Sequence, residues 1–359
     1  MKFVKYIRLI LFPIALVYGL VIRIRNRMFD KGKLPVQEYQ VPLISVGNIT
    51  VGGTGKTPLT EFIIKTLQQN YSLALLSRGY KRKTKGVVLA DPSSTAYDIG
   101  DEPKQIKDKF ERLQVAVAEK RVEGVNELLA LPNPPEVIVM DDAYQHRYVK
   151  PGLSILVMDY NRPLWRDVML PAGDLREPMN GKRRADIILV SKCPSELNEK
   201  KRMRILSKLK PEAHQSVFFS TITYQKPEPL YNTKVHLSDE ALLNADVLLV
   251  TGIANPASLF QYLSRVSKQV HTLYYPDHYQ FNAEDLEKIQ SQFNKINSSK
   301  KIIMTTEKDS VRFRQVLEEN DSISKDIWYV PIEIQILNNQ QNQFTEKIMS
   351  YVKENKRNR

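Results

Sequence analysis

The stretch from Pro42 to Pro58, PLISVGNITVGGTGKTP, decides how the rest of the chain is read. A short apolar run closes at Val46, a glycine-rich loop follows, and Gly55-Lys56-Thr57 lead into a helical pattern of Leu59, Phe62, Ile63 and Leu67. Strand, glycine loop, Lys-Thr and helix are together the parts of a phosphate-binding loop. Glycines at 52, 53 and 55 let backbone N–H groups turn onto phosphate oxygens with no Cβ in the way. Lys56 then reaches the β- and γ-phosphates, the Thr57 hydroxyl holds Mg²⁺, and the helix turns its positive end to the same anion. The nucleotide-binding stretch expected from this pattern is Thr50, Val51, Gly52, Gly53, Thr54, Gly55, Lys56 and Thr57, with ATP and Mg²⁺ as its ligands.

The spacing departs from the usual G-x-x-x-x-G-K-[ST]. Thr50 stands where the first glycine belongs, and Val51 stands where a related loop type carries a lysine. An ordinary glycine-rich strand-to-helix turn is the competing reading. It leaves unexplained why Lys56 and Thr57 follow the last glycine directly at a helix start.

Working outward, 359 residues make one large domain or two ordinary ones, and an apolar fraction of 42% supports a packed core. The lone Cys193 excludes an intrachain disulfide framework and a multi-cysteine metal site, and fits a reducing compartment. Five scattered histidines form no obvious zinc spacing. A net charge of +13 asks for a partner. Much of it lies at the start, where Lys2, Lys5, Arg8, Arg23, Arg25, Arg27, Lys31 and Lys33 are opposed only by Asp30. Between them Leu9 to Ile22 is uncharged, fourteen residues against the roughly 20 that a crossing helix needs, and Pro13 and Gly19 interrupt it. No small-x-small cleavage pattern follows, which argues against a signal peptide. The reading is a helix over 1–28 lying in the cytoplasmic leaflet, its bases on anionic headgroups; packing on the protein's own core is the competing one. The C-terminal bases Lys353, Lys356, Arg357 and Arg359 read as a frayed end. With no zinc-finger spacing, RNP-like strand or aromatic interleaving, nucleic acid is not expected as a partner.

Apolar runs at 72–76, 86–89, 115–118, 137–140, 154–158 and 187–190 alternate with helical stretches at 104–110 and 121–129. That alternation implies a mostly parallel sheet covered on both faces, with ligands at the carboxyl ends of its strands. From about 216 the pattern changes. A strand at 217–222 and an edge or linking ribbon at 230–235 precede strands at 245–250, 270–275, 301–304, 327–330 and 332–336 and helices at about 257–266 and 282–296. The last two strands are expected to close a second sheet. The fold class expected is α/β, a P-loop NTPase-like mostly parallel sheet with helices on both faces, plus a second smaller α/β domain and an N-terminal membrane-associated helix. The boundaries are 1–28 for that helix, 29–235 for the core and 236–359 for the smaller unit closing over the active site. No internal repeat is evident.

The strand at 137–140 ends in Asp141-Asp142, as in the second half of a P-loop site, where carboxylates hold Mg²⁺. A kinase also positions an acceptor hydroxyl and a base near the γ-phosphate. Asp101 is the candidate base, at a loop–helix junction beside Glu102, which is counted with the Mg²⁺ carboxylates; a first-turn capping pair is the plainer reading of both. His278 is its candidate partner, an imidazole able to orient a carboxylate or share its proton, and a closing cleft is needed to join them. Arg78, Arg176 and Lys308 are candidates to balance phosphate charge, and Gln145 and His146 follow Asp142 closely enough to line the same site.

Nine motifs in order then carry a resemblance: VGNITVGGTGKTP, SRGY at 77–80, GDEP at 100–103, DDAYQHR at 141–147, PAGDLREP at 171–178, SKCP at 191–194, TGIANP at 251–256, YPDHYQF at 275–281 and TTEKD at 305–309. Together they resemble the tetraacyldisaccharide 4'-kinase, or lipid A 4'-kinase, family over essentially the whole chain. The Thr50 form of the loop is that family's own. The resemblance implies transfer of the ATP γ-phosphate to the 4'-hydroxyl of a tetraacylated glucosamine disaccharide 1-phosphate, giving lipid IV-A. It implies a Mg²⁺-dependent enzyme on the cytoplasmic face of the inner membrane of a Gram-negative bacterium, with no obligate protein partner. It also makes Asp101 and His278 a base-activating pair; where the family has a second histidine this chain has Tyr279. Lys81, Arg82, Lys83 and Lys85 form a basic loop suited to the substrate's 1-phosphate. Two rivals remain: a membrane-associated P-loop NTPase without a lipid acceptor, and a membrane scaffold with a vestigial nucleotide site.

Overall fold

The structure is a computed structural model that describes residues 8, 10–231, 235–319 and 321–357. Its first helix, α1 (Phe12–Asp30), precedes β1 (Leu43–Gly47), α2 (Lys56–Leu67), β2 (Leu73–Ser77), β3 (Val88–Leu89), α3 (Ala96–Ile99), α4 (Asp101–Lys109), β4 (Gln114–Val117), α5 (Arg121–Leu129), β5 (Val137–Asp141), β6 (Leu153–Asp159), β7 (Ile187–Ser191), α6 (Glu199–Leu209) and β8 (Ser216–Tyr224). Next come β9 (Glu228–Pro229), α7 (Asp239–Leu243), β10 (Asp246–Thr251), α8 (Ala257–Val266), β11 (Gln269–Tyr274), α9 (Ala283–Lys295), β12 (Lys301–Thr306), α10 (Glu307–Phe313) and β13 (Ile327–Val330). The chain closes with β14 (Ile332–Ile336) and α11 (Gln341–Arg357).

Nine strands form the larger sheet in the order β14-β8-β7-β6-β1-β5-β2-β4-β3. Every pairing from β8 across to β4 is parallel; only the edges, β14 on β8 and β3 on β4, are antiparallel. Strand β1 lies at the centre with all five residues buried, as a strand covered on both faces must be. Helix α2 turns Leu59, Ile63, Ile64 and Leu67 onto that sheet at spacings of three and four, the period of one helical face. The carboxyl ends of β1 and β5 thereby carry the glycine loop and Asp141 to the same edge, where open parallel sheets bind ligands.

The second sheet runs β11-β10-β12-β13-β9, parallel except for β9. Here the expected boundary needs correction. Strand β14 does not close this sheet. It returns to the larger one, Ile332 pairing with Tyr224 and Ile336 with Ser220. Ile334 and Ile336 bury in the larger core beside Phe218, and α11 follows them there. Phe344, Ile348 and Val352, four residues apart, form the buried stripe of α11, with the Phe344 ring 5.7 Å from Phe62 of α2. The tail is thus helical through Arg357 rather than frayed; Arg359 lies outside the described residues, as do Lys2, Lys5 and residues 232–234 of the expected ribbon. The smaller unit is in effect inserted between two neighbouring strands, and the chain enters and leaves it at the paired residues Tyr224 and Ile332.

Helix α1 is two-sided. Ala15, Gly19 and Phe29 are buried, whereas Phe12, Ile14, Leu16, Val17, Leu20, Val21 and Ile24 are exposed. Among the described residues no helix is long and apolar enough to cross a membrane.

Candidate functional site

The glycine loop is tied down from three sides. Val51 N donates to Asp174 O at 2.8 Å and Arg176 N donates to Ile49 O at 2.8 Å, so the 171–178 loop runs against it. Thr54 accepts at Oγ1 from Asn48 Nδ2 at 2.8 Å and at its carbonyl from Ser191 Oγ at 2.6 Å. Lys192, at the end of β7, donates to the Gly53 carbonyl and pairs with Asp159 at 3.0 Å. Gly52 and Gly55 both adopt φ of 90°, a conformation that side chains with a Cβ resist, and Gly55 caps α2 so that Lys56 and Thr57 form its first turn. A loop held this way keeps its backbone N–H groups preorganised for an anion.

Lys56 Nζ stands 3.4 Å from Asp142 Oδ1, and Arg176 Nη1 stands 3.2 Å from Asp142 Oδ2. Burial alone would push the Asp142 carboxyl up; Lys56 and then Arg176 outweigh it and hold the group below the usual carboxylate range. Asp141 behaves in the opposite way. Burial first, then the neighbouring charges of Glu102 and Asp142, push it up to about 7, although Thr60 Oγ1 donates to it at 3.2 Å. Glu102 is engaged by Lys308 at 3.0 Å; against burial, Lys308 and Lys56 keep it low.

The smaller unit supplies the opposite wall. His278 Nδ1 lies 3.9 Å from Asp101 Oδ2, and His278 Nε2 lies 3.3 Å from Lys308 Nζ. Despite the burial of Asp101, His278 and Arg312 hold its carboxyl below the ordinary value. The sequence pattern singled out Asp101, His278, Lys56, Arg176, Asp141, Asp142, Glu102 and Lys308, and all of them meet at this edge.

Other expected residues have different surroundings. Gln145 does not face open space: its Nε2 donates to Asn48 O at 2.7 Å, bracing the end of β1. For His146, burial, then Arg121 and Arg78, lower the imidazole to about 4, so it is uncharged at neutral pH and brings no cation to a phosphate. Arg78 is exposed and has no ion pair among the described residues. In the basic loop Arg82 is committed, donating to Val117 O at 3.2 Å and pairing with Glu119 at 2.6 Å, which leaves Lys81, Lys83 and Lys85 for any phosphate there. Among the described residues no three His, Cys, Asp or Glu side chains are grouped as a ready metal cage.

Sequence reasoning missed four basic residues. Arg121 is buried and donates to the backbone of Ala118 and Asp141. Lys192 fastens Gly53, and the Arg162 guanidinium lies against Gly52. Arg312, only 1% exposed, sits between Asp101 and His278. The signal for Arg312 was its place three residues beyond TTEKD, one helical turn after Asp309.

Residues 7–353 match the sequence family described as tetraacyldisaccharide-1-P 4'-kinase. A tetraacyldisaccharide 4'-kinase of Bacteroides thetaiotaomicron is 44% identical over 357 residues, covering 97% of this chain and 94% of its own. One from Flavobacterium johnsoniae is 45% identical, covering 97% and 98%. Among solved structures, LpxK from Aquifex aeolicus, crystallised in complex with ATP, superposes with a TM-score of 0.74 at 25% identity, covering 96% of this chain and 99% of that one.

Proposed function

The chain belongs to the tetraacyldisaccharide 4'-kinase family, and from that premise we propose how its side chains divide the work of phosphoryl transfer. The reaction is ATP-dependent phosphorylation of the 4'-hydroxyl of a tetraacylated disaccharide 1-phosphate, a step of lipid A biosynthesis. In our reading the glycine loop and the first turn of α2 cradle the ATP phosphates, with Lys56 on the β- and γ-phosphates. Arg176 shares Asp142 with Lys56 and supports the charge that spreads over the equatorial oxygens. His278 Nε2 and Lys308 Nζ converge at 3.3 Å, two nitrogens facing one point, which suits an anionic phosphate oxygen. Asp101 takes the proton of the attacking 4'-hydroxyl. Its Oδ2 is occupied by Arg312 and faces His278, so Oδ1 is the oxygen assigned to the acceptor.

Mg²⁺ fits the residues present. Burial, then the charges of Glu102 and Asp142, push Asp141 to about 7, and a divalent cation relieves that local excess of negative charge. Magnesium is held by one or two carboxylates plus phosphate oxygens and water, so the lack of a ready cage is no obstacle. Asp141, Asp142 and Thr57 would hold it; Glu102, bound to Lys308, is assigned to steering that lysine instead. Bound there, the cation would supply positive charge against the phosphate oxygens.

The lipid must be met at a surface. The exposed apolar face of α1, flanked by the exposed Arg23 and Arg27, supports a helix lying in the cytoplasmic leaflet of the inner membrane. The opposite face of α1 touches the site: Tyr18 Oη donates to Arg176 O at 3.2 Å and Arg25 Nη2 to Gln145 O at 3.1 Å. Membrane contact and catalytic loop therefore share one element. The smaller unit closes over the nucleotide through its two adjacent connections at Tyr224 and Ile332.

The observation carrying the assignment is the meeting of Asp101 and His278, from separate units, at the strand ends beside Lys56 and Asp142. Asp101→Ala tests it. Expected is a fall of about 10²–10⁴-fold in kcat, the usual worth of a general base, with ATP affinity nearly unchanged. A near-normal kcat removes Asp101 as the base.

A further inference from the structure

Among the described residues, Arg312 is the side chain that lies within hydrogen-bond distance of both members of the proposed base pair. Its Nε donates to Asp101 Oδ2 at 2.9 Å, Nη2 forms an ion pair with the same oxygen at 2.9 Å, and Nη2 lies 3.1 Å from His278 Nδ1. Nη1 pairs with Asp309 Oδ1 at 2.7 Å and donates to Gly252 O at 3.3 Å. Every face of the fork is spent, and its side chain is wholly buried.

Asp309 is in turn built into the smaller unit. Its Oδ2 accepts from Thr251 Oγ1 at 2.7 Å, Gly252 N at 3.0 Å and Thr306 Oγ1 at 2.8 Å, joining the end of β10 to the start of α10. The guanidinium is thus fixed by one unit and grips the carboxylate of the other.

We propose that Arg312 is a positioning residue of the phosphoryl transfer, with Asp309 as its backing. It fixes which Asp101 oxygen meets the acceptor hydroxyl, and it holds the His278 ring beside that carboxylate. The His278 ring lies between two donor-only cations, the Arg312 guanidinium at Nδ1 and the Lys308 ammonium at Nε2. Arg312 also makes the base depend on the seating of the smaller unit, because Asp101 in α4 receives both fork nitrogens from α10. Lysine cannot replace it: a single ammonium has no planar fork to hold Asp101, Asp309 and His278 at once.

This inference rests on the reading of Asp101 as the base, so the test is a cycle that separates the two. Transfer of phosphate from ATP to the lipid acceptor is measured for Arg312→Gln, Arg312→Lys, Asp101→Asn and the double variant Asp101→Asn/Arg312→Gln, with ATP affinity measured for each. Arg312→Gln is expected to lower kcat about 10²-fold, the loss that follows from misplacing a reacting group, with KM for ATP changed less than about threefold. Arg312→Lys is expected to recover little of that. In the Asp101→Asn background Arg312→Gln is expected to cost less than about threefold more, since groups acting as a unit are not additive. Should Arg312→Gln fail to fold because Asp309 is stranded, Asp309→Asn/Arg312→Gln takes its place, with the same expectations. Equal losses in both backgrounds, full activity of Arg312→Lys, or a loss confined to KM for ATP each overturn the proposal. A near-normal kcat for Asp101→Asn overturns the base assignment itself.

Discussion

One lysine faces two buried carboxylates behind the site. Lys109 Nζ of α4 lies 2.7 Å from Glu61 of α2 and 2.9 Å from Glu307 of α10, and Gln105 Nε2 donates to Glu61 at 2.7 Å. These three helices begin at Lys56, Asp101 and Glu307, so the cluster staples together the elements that carry the site. One ammonium cannot balance two buried carboxylates. Burial, then the charge of Glu307, raise Glu61 from its ordinary 4.5 to about 7 even though Lys109 opposes the shift. Glu307 is raised as well, and one of its oxygens, Oε2, has no hydrogen-bond partner among the described residues. In the folded protein Glu61 keeps its proton where the unfolded chain has lost it. Stability from this group is therefore fullest below about pH 4.5 and is lost as pH rises through about 7. At about 1.4 kcal/mol per unit, that rise amounts to about 3 kcal/mol. Glu61→Gln mimics the protonated side chain and leaves Lys109 and Glu307 as a one-to-one pair. Urea unfolding, followed by Trp165 in the larger unit and Trp328 in the smaller, is expected to show the variant about 1–3 kcal/mol more stable than the parent at pH 8.5. At pH 5 the two should lie within about 1 kcal/mol. A variant less stable than the parent at pH 8.5, or a difference that does not change with pH, refutes the reasoning.

The helix reading predicts that Leu16→Glu/Leu20→Glu, at residues 58% and 55% exposed, leaves the fold intact but lowers binding to anionic vesicles by about 100-fold or more, from roughly 1.5–3 kcal/mol per buried leucine; unchanged co-sedimentation would move the anchor elsewhere. Lys56→Ala strips the γ-phosphate of its lysine and leaves Asp142 to Arg176 alone. Single-turnover transfer should fall 100-fold or more, as loss of a preorganised charge donor does, and a rate within about tenfold of the parent would contradict its role.

What was legible in the sequence follows from how local each signal is. The glycine loop, the β5 strand ending in Asp141 and the alternation of strands and helices are written within a few residues each, and the structure has them as read. The fate of β14 is not local. Pro331 alone separates it from β13, and the alternating pentapeptide Ile-Glu-Ile-Gln-Ile does not say which sheet it joins. The spacing of Phe344, Ile348 and Val352 marks an amphipathic last helix that needs a core to cover; the core it covers belongs to the larger sheet. Arg312 escaped notice because its partners come from GDEP, TGIANP and YPDHYQF, segments far apart in the chain. Gln145 and His146 follow Asp142 in sequence; Gln145 donates to Asn48 O at the end of β1, and Asp142 acts on the half-buried His146 imidazole.

If phosphate passes from ATP to a lipid hydroxyl with Asp101 as the base, a labelled γ-phosphate must follow it into the lipid. The most direct measurement is incubation of the purified protein with γ-labelled ATP, Mg²⁺ and tetraacyl disaccharide 1-phosphate in detergent micelles, followed by location of the label. The account predicts label in the lipid, at the 4'-position, and its loss in Asp101→Ala. Label released only as free phosphate, at a rate indifferent to the lipid and to Asp101, would contradict it.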